Sequence, residues 1–222
     1  SARYVLFTAD DCLSVPTAGT TTFTVPADVG GNHLIYYILR VETSGAPDAA
    51  EWQVSVALPC EMSWFFDDEA LAGHCPTQPV SSFAAAQPFE RGTMIWLERP
   101  GRYYILDEST PYGDGLRRGL QIISDPLEIV GDSSGDVHPP DGLYAPQSGF
   151  GLVWRGDVTV SPGFREVLGW ALGPEFGYDA TLQCDDAPPS GGRSWQTCYL
   201  LGPAGEVIVL HPLGGWYLLD RG

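Results

Sequence analysis

The sequence predicts an all-β protein, and three observations lead there. Apolar and β-branched residues run in short stretches parted by turn residues; 27 glycines and 19 prolines are too many for a helical chain; and 44% hydrophobic with 12% aromatic residues is too rich for disorder. The glycines and prolines must therefore turn strands. With 222 residues the chain can bury a real core, and two domains are expected.

Residues 20–25, 34–41 and 52–58 read as three strands separated by turns. In the third, Val54 and Val56 alternate with Gln53 and Ser55, which sets one face on a core and the other in water. Residues 1–58 are accordingly expected to form a small immunoglobulin-like β-sandwich, short of the full seven strands. Residues 59–80 read as a disulfide-stapled linker carrying Trp64, Phe65 and Phe66, rings that need a surface to hide against. Within residues 81–222, the stretch 87–96 leads through Pro100-Gly101 into 102–106 as a hairpin, and a similar unit recurs from 195 to 210. Their likeness predicts a duplicated β-hairpin repeat module. Residues 125–140 form a polar surface excursion, and only residues 162–172 suit a short helix.

Five cysteines stand at Cys12, Cys60, Cys75, Cys184 and Cys198. Cys60 with Cys75 and Cys184 with Cys198 are 15 and 14 residues apart and read as two local disulfides. Closing such a loop stabilises by about 3 kcal/mol in the chain-entropy model. The rival reading, a zinc site, lacks the Cys-x-x-Cys pairs and companion histidines that zinc prefers. Disulfides persist in oxidising compartments, so an extracellular or cell-surface location is expected. Cys12 is left over, as a free thiol, an intermolecular bridge or a partner that displaces a local pair.

All 11 basic residues are arginine; against 28 carboxylates they leave a net charge of −17. Such a balance repels phosphate backbones and anionic lipid, so neither nucleic acid nor charge-driven membrane adhesion is expected. No run reaches the roughly 18–20 apolar residues of a membrane span. Ser1 is followed by neither a basic nor an apolar leader region, so any signal is expected to have been removed.

Three segments carry a resemblance. They are Gln87-Pro88-Phe89-Glu90-Arg91-Gly92 with Met94-Ile95-Trp96, Gly149-Phe150-Gly151 with Val153-Trp154-Arg155, and Leu168-Gly169-Trp170-Ala171 with Pro174-Glu175. Together they resemble modules of uncharacterised extracellular proteins of filamentous green (Chloroflexi-type) bacteria and, more distantly, the LGFP repeats of bacterial cell-wall proteins. Ala171 replaces the proline of that repeat, and Gly191-Gly192 lacks the preceding phenylalanine. The resemblance spans residues 59–220 and transfers no catalytic residue. It implies a surface-associated protein whose glycines and tryptophans hold a repetitive β fold, with an affinity for cell-wall or glycan material. Trp96, Trp154, Trp170 and Trp216 are the ligand-binding candidates, as sugar-stacking platforms, with core packing the favoured reading of the same rings.

Catalytic chemistry finds little foothold. Ala72-Gly73-His74-Cys75 and Gly131-Asp132-Ser133-Ser134-Gly135 resemble the histidine and serine motifs of trypsin-like proteases, with Cys60 as the cysteine's partner. Ser133 follows His74 too closely, however, to leave chain for the intervening halves of two barrels. No cofactor is expected. Residues 132–136 could wrap calcium with oxygen ligands, but no acidic cluster completes an EF-hand spacing, and solvated acidic loops are the expectation. The sequence thus predicts a non-catalytic bacterial extracellular surface, structural or assembly protein whose partners are other surface proteins or itself. The alternative is a carbohydrate- or cell-wall-binding module, and a serine hydrolase is third.

Overall fold

A computed structural model describes residues 2–7, 12–15, 34–43, 50–57, 59–67, 71, 74–112, 117–125, 137–158, 163–186 and 196–219. The chain divides into two compact units, residues 1–63, 68–76 and 186–188 in the first, and 64–67, 77–185 and 189–222 in the second. Most of the described residues that are in regular structure are in strands, and no described helix is long and apolar enough to cross a membrane.

In the first unit β1 (Ala2–Phe7), β2 (Cys12–Val15), β3 (Leu34–Thr43) and β4 (Ala50–Ala57) form one antiparallel sheet in the order β2-β1-β3-β4. The runs expected at 34–41 and 52–58 are β3 and β4, paired from Leu34↔Ala57 to Val41↔Ala50. The run at 20–25 lies outside the described residues. A sandwich needs two facing sheets, and the described strands of this unit make one. The Cys60–Cys75 disulfide belongs to the same unit.

The second unit is a closed, eight-stranded antiparallel barrel. It is built from two four-stranded meanders, β5 (Val80–Phe89), β6 (Gly92–Leu97), β7 (Arg102–Tyr112) and β8 (Arg117–Ser124), then β9 (Phe176–Cys184), β10 (Cys198–Leu201), β11 (Val207–His211) and β12 (Gly215–Leu218). The two first strands pair with each other, β5 with β9, and so do the two last, β8 with β12. Closure leaves no edge strand. The two hairpins whose sequences resemble one another are the second and third strands of each meander, β6–β7 and β10–β11. The second disulfide, Cys184–Cys198, joins residues directly opposite in the β9–β10 ladder.

Alternation along the strands sorts the barrel into an inside and an outside. Ile95, Leu97, Tyr104, Leu106, Leu200, Ile208, Leu210 and Trp216 fill the interior, and Ala84, Ala86 and Ala180 on the adjacent strands β5 and β9 leave room for the larger rings. Met94, Tyr103, Ile105 and Ile123 point outward into a second core. Residues 137–158 and 163–172 cover it, through the helices α1 (Ser148–Arg155) and α2 (Arg165–Leu168). On the other meander, Trp64 and Phe66 pack on Tyr199 of β10 at ring separations of 4.8 and 5.2 Å, and the Phe65 N–H donates to Gln183 Oε1 at 3.0 Å. The rings of the 59–80 segment thus find their cover on the outer wall of the barrel.

α1 was not among the expected elements, since Gly149 and Gly151 lower helix propensity. Phe150, Val153 and Trp154 nonetheless follow the i, i+3, i+4 spacing of one buried face, and Gly156 in the left-handed conformation closes the helix. The glycines serve packing: a Cβ on Gly151 would meet the Pro146 carbonyl oxygen at 2.6 Å, and one on Gly149 would meet the Tyr103 hydroxyl at 2.0 Å. The expected helix at 162–172 contracts to the four residues of α2.

The three sequence segments singled out above meet at one junction. Arg91 in the β5–β6 turn donates through Nε and a terminal guanidinium nitrogen to the carbonyls of Val167 and Glu166, both at 2.8 Å, while Glu90 accepts the Trp170 N–H at 2.8 Å. Gln87 Nε2 donates to the Gly173 carbonyl at 2.9 Å. Trp154, wholly buried, donates from Nε1 to the Gly169 carbonyl at 2.7 Å. Trp154→Phe should therefore destabilise the barrel unit by about 1–3 kcal/mol, because it leaves that carbonyl without its donor. Urea denaturation of the variant against the parent measures it.

At the barrel rim a bulge in β7 begins at Asp107, which faces Gly119 across the β7–β8 ladder. Its carboxylate accepts the Ser109 N–H at 2.8 Å and the Ser109 hydroxyl at 2.6 Å, and its carbonyl accepts the Trp216 Nε1–H at 3.2 Å. Burial disfavours the charged form, but the hydrogen bonds from Ser109 and Thr110 outweigh it and hold the carboxyl below its usual range. A depressed pKa contributes stability above the unfolded carboxylate value near 3.9, and that contribution is lost as pH falls through the lower, folded value. Asp107→Asn is expected to cost about 1.5–3 kcal/mol at pH 7. It should also flatten the loss of stability below pH 4, as followed by thermal melts across an acid series.

Candidate functional site

Among the described residues, the cover formed by 137–158 and 163–172 does not reach across the whole outer face of the first meander. Where it ends, a cleft of about 390 Å3 opens between β5, β6 and β7, the start of α1 and the start of β9. Phe83, Ala85, Trp96, Tyr103, Phe150 and Phe176 supply its apolar lining, and Glu175 and Ser148 its side-chain polar groups. Phe83 and Phe176 are 50% and 46% exposed, and both line the cleft.

The rings are ordered by contact. Phe83 meets Trp96 edge-on at 6.5 Å, Trp96 tilts against Tyr103 at 6.4 Å, and Tyr103 meets Phe150 edge-on at 5.8 Å, a continuous aromatic wall. Local chemistry sets each member. Trp96 Nε1–H donates to the Asp125 carboxylate at 3.1 Å, which helps to fix the orientation of an indole that lines the cleft. Phe83 lies over Gly177, where a Cβ would come within 2.7 Å of the ring, and the Tyr103 hydroxyl seats against Gly149. Burial, and then the negative charges of Asp125 and Glu175, push the Tyr103 phenol up to about 12, so it is neutral at any physiological pH. None of the described lining residues is basic. What the cleft offers a ligand is flat apolar rings, a neutral phenol and a carboxylate at the rim.

A second depression of about 410 Å3, lined by Ser81, Ser82, Arg99, Asp179 and Thr181 among others, shares Phe83 with the first. The Ser82 hydroxyl donates to the Phe83 carbonyl at 2.8 Å and accepts the Arg99 N–H at the same distance, so the strand beneath this shared ring is tied down. Together the two depressions flank Phe83 and suit a ligand longer than a single ring.

Of the four tryptophans put forward as stacking platforms, Trp96 alone lines the cleft. Trp154 and Trp216 lie in the core, the reading favoured for them from the sequence: their rings are 0% and 6% exposed, and each donates its N–H to a backbone carbonyl. Trp170 stacks on Trp154 at 5.1 Å, and the Arg165 guanidinium lies 4.8 Å from the Trp170 ring centre and 5.4 Å from that of Trp154. His74 is exposed beside the Cys60–Cys75 disulfide, whereas Ser133 and the acidic residues 132–136 lie outside the described residues. Phe83, Tyr103, Glu175 and Phe176 were not among the candidates. Phe83 carries a weak signal, a lone large ring ahead of three alanines on a strand, but Phe176 and Glu175 join it only through the β5–β9 register.

Comparison of the chain with protein-family models, with curated proteins and with solved structures found no match.

If Tyr103 is shielded as its surroundings dictate, its phenol will ionise near 12 in the folded protein, about two units above an exposed tyrosine. The raised value means stability is fully present below the unfolded pKa near 10 and is lost as pH rises through the folded one. Ultraviolet difference titration of the parent against Tyr103→Phe isolates this group, and a titration at 10 would contradict the assignment.

Proposed function

We propose that this chain is a non-catalytic extracellular surface protein that works through protein–protein contacts, and that the aromatic cleft is where it binds. The observation that carries the reading is the pair of half-exposed rings, Phe83 and Phe176, that line a cleft also walled by Trp96 and Tyr103. Exposed aromatics on an ordered scaffold are the composition of binding anchors. Two disulfides and an all-β fold accord with an oxidising, extracellular setting. The resemblance to surface modules of filamentous green bacteria supports the same reading, with the barrel as its repeat module. The sheet of the first unit is proposed as one layer of the immunoglobulin-like sandwich.

A glycan-binding module is the second reading, favoured by one observation, that Trp96 lines the cleft. Titration of the protein with extended peptides and with cell-wall and plant polysaccharides, read by tryptophan fluorescence, separates the two. A saturable response to peptides, lost in Phe83→Ser and Phe176→Ser, is the expected result. A response to polysaccharides alone would replace it with the glycan reading, and turnover of any ligand would overturn the non-catalytic assignment.

A further inference from the structure

We infer that the cleft accepts a cationic side chain, an arginine guanidinium above all, presented by an extended segment of a partner protein. The inference rests on the proposed binding role of the cleft and names the chemistry of its occupant.

Three observations converge on it. The wall is aromatic, and a planar cation gains from the negative faces of such rings. The charged groups at the cleft itself are carboxylates: Glu175 lines it, the Asp125 carboxylate accepts the Trp96 indole N–H, and none of the described lining residues is basic. Both carboxylates reach the floor of the cleft electrostatically, since both raise the Tyr103 pKa. A neutral ligand gains only through its dipoles in that potential, whereas a cation gains from both the rings and the field. The chain's net charge of −17 steers a basic segment in the same direction.

The protein contains its own example of the pairing. Arg165 lays its guanidinium over Trp170 at 4.8 Å and Trp154 at 5.4 Å elsewhere on the same outer face. Guanidinium suits the cleft better than ammonium because it is planar, stacks on rings and is more weakly hydrated. The neighbouring depression beyond Phe83, lined by Arg99 and Asp179 with opposite charges, leaves room for the segment on one side of the inserted residue.

The test uses the intact chain and the indole N–H resonance of Trp96, assigned by its disappearance in Trp96→Phe. The probes are a capped pentapeptide, Gly-Gly-Arg-Gly-Gly, the same peptide with citrulline in place of arginine, and a neutral oligosaccharide. The arginine peptide should move the resonance saturably, with the citrulline peptide weaker by roughly tenfold. Glu175→Gln, a rim substitution that leaves the barrel core untouched, should weaken the arginine peptide several-fold. Equal binding of the arginine and citrulline peptides would overturn the inference and leave the peptide-binding role standing. A response to the oligosaccharide without one to arginine would overturn both in favour of a glycan. Silence toward every probe would overturn both outright.

Discussion

Closure of the barrel depends on two strand pairings between the meanders, β5 with β9 and β8 with β12, and the other features of the unit follow from them. The interior of this eight-stranded barrel is filled by side chains, which are mostly apolar and sized to their neighbours. The alanines of β5 and β9 answer to Tyr104 and Trp216 in this way. The same closure makes the strands' other faces outward, where Met94, Tyr103, Ile105 and Tyr199 would lie bare in water. Each meander is therefore covered from outside, one by residues 137–158 and 163–172 and the other by Trp64 and Phe66.

The cleft is a consequence of how far one of those covers extends. α1 seats close against β7 because Gly149 lets the Tyr103 hydroxyl approach, and the helix begins there. Beyond its first residue the outer faces of β5 and β6 are left with Phe83, Ala85 and Trp96, and β9 enters with Glu175 and Phe176 just before and at its first position. Binding surface and scaffold are thus made by the same strands. A rim carried on paired strands holds its rings in place at little further entropic cost, which favours recognition by preformed shape.

Much of the architecture was legible in residues. The turn-punctuated apolar runs gave β3, β4, β6, β7, β10 and β11, and cysteine spacing gave both disulfides. The likeness of two hairpins led to the expectation of a duplicated module; in the structure these hairpins are β6–β7 and β10–β11 of one closed barrel. The segments around Glu90, Trp154 and Trp170 stood out in the sequence for a reason now visible, since they hydrogen-bond to one another and clamp the outer cover to the β5–β6 turn. α1 was missed because its glycines answer to Pro146 and Tyr103, atoms distant or opposite in the fold, and propensity scales see neither.

What the sequence determined by itself was local: strand period, turn chemistry, short-range cysteine pairs and the sign of the overall charge, all of which depend on residues a few positions apart. It could not say which tryptophan lines a cleft and which lies in the core, because Trp96 and Trp154 each follow an apolar residue and what separates them is the packing around each ring. Only the tertiary structure brought Phe83, Trp96, Tyr103 and Glu175 around one cleft, since strand register and barrel closure, long-range pairings across as many as a hundred residues of chain, decide which side chains face out together.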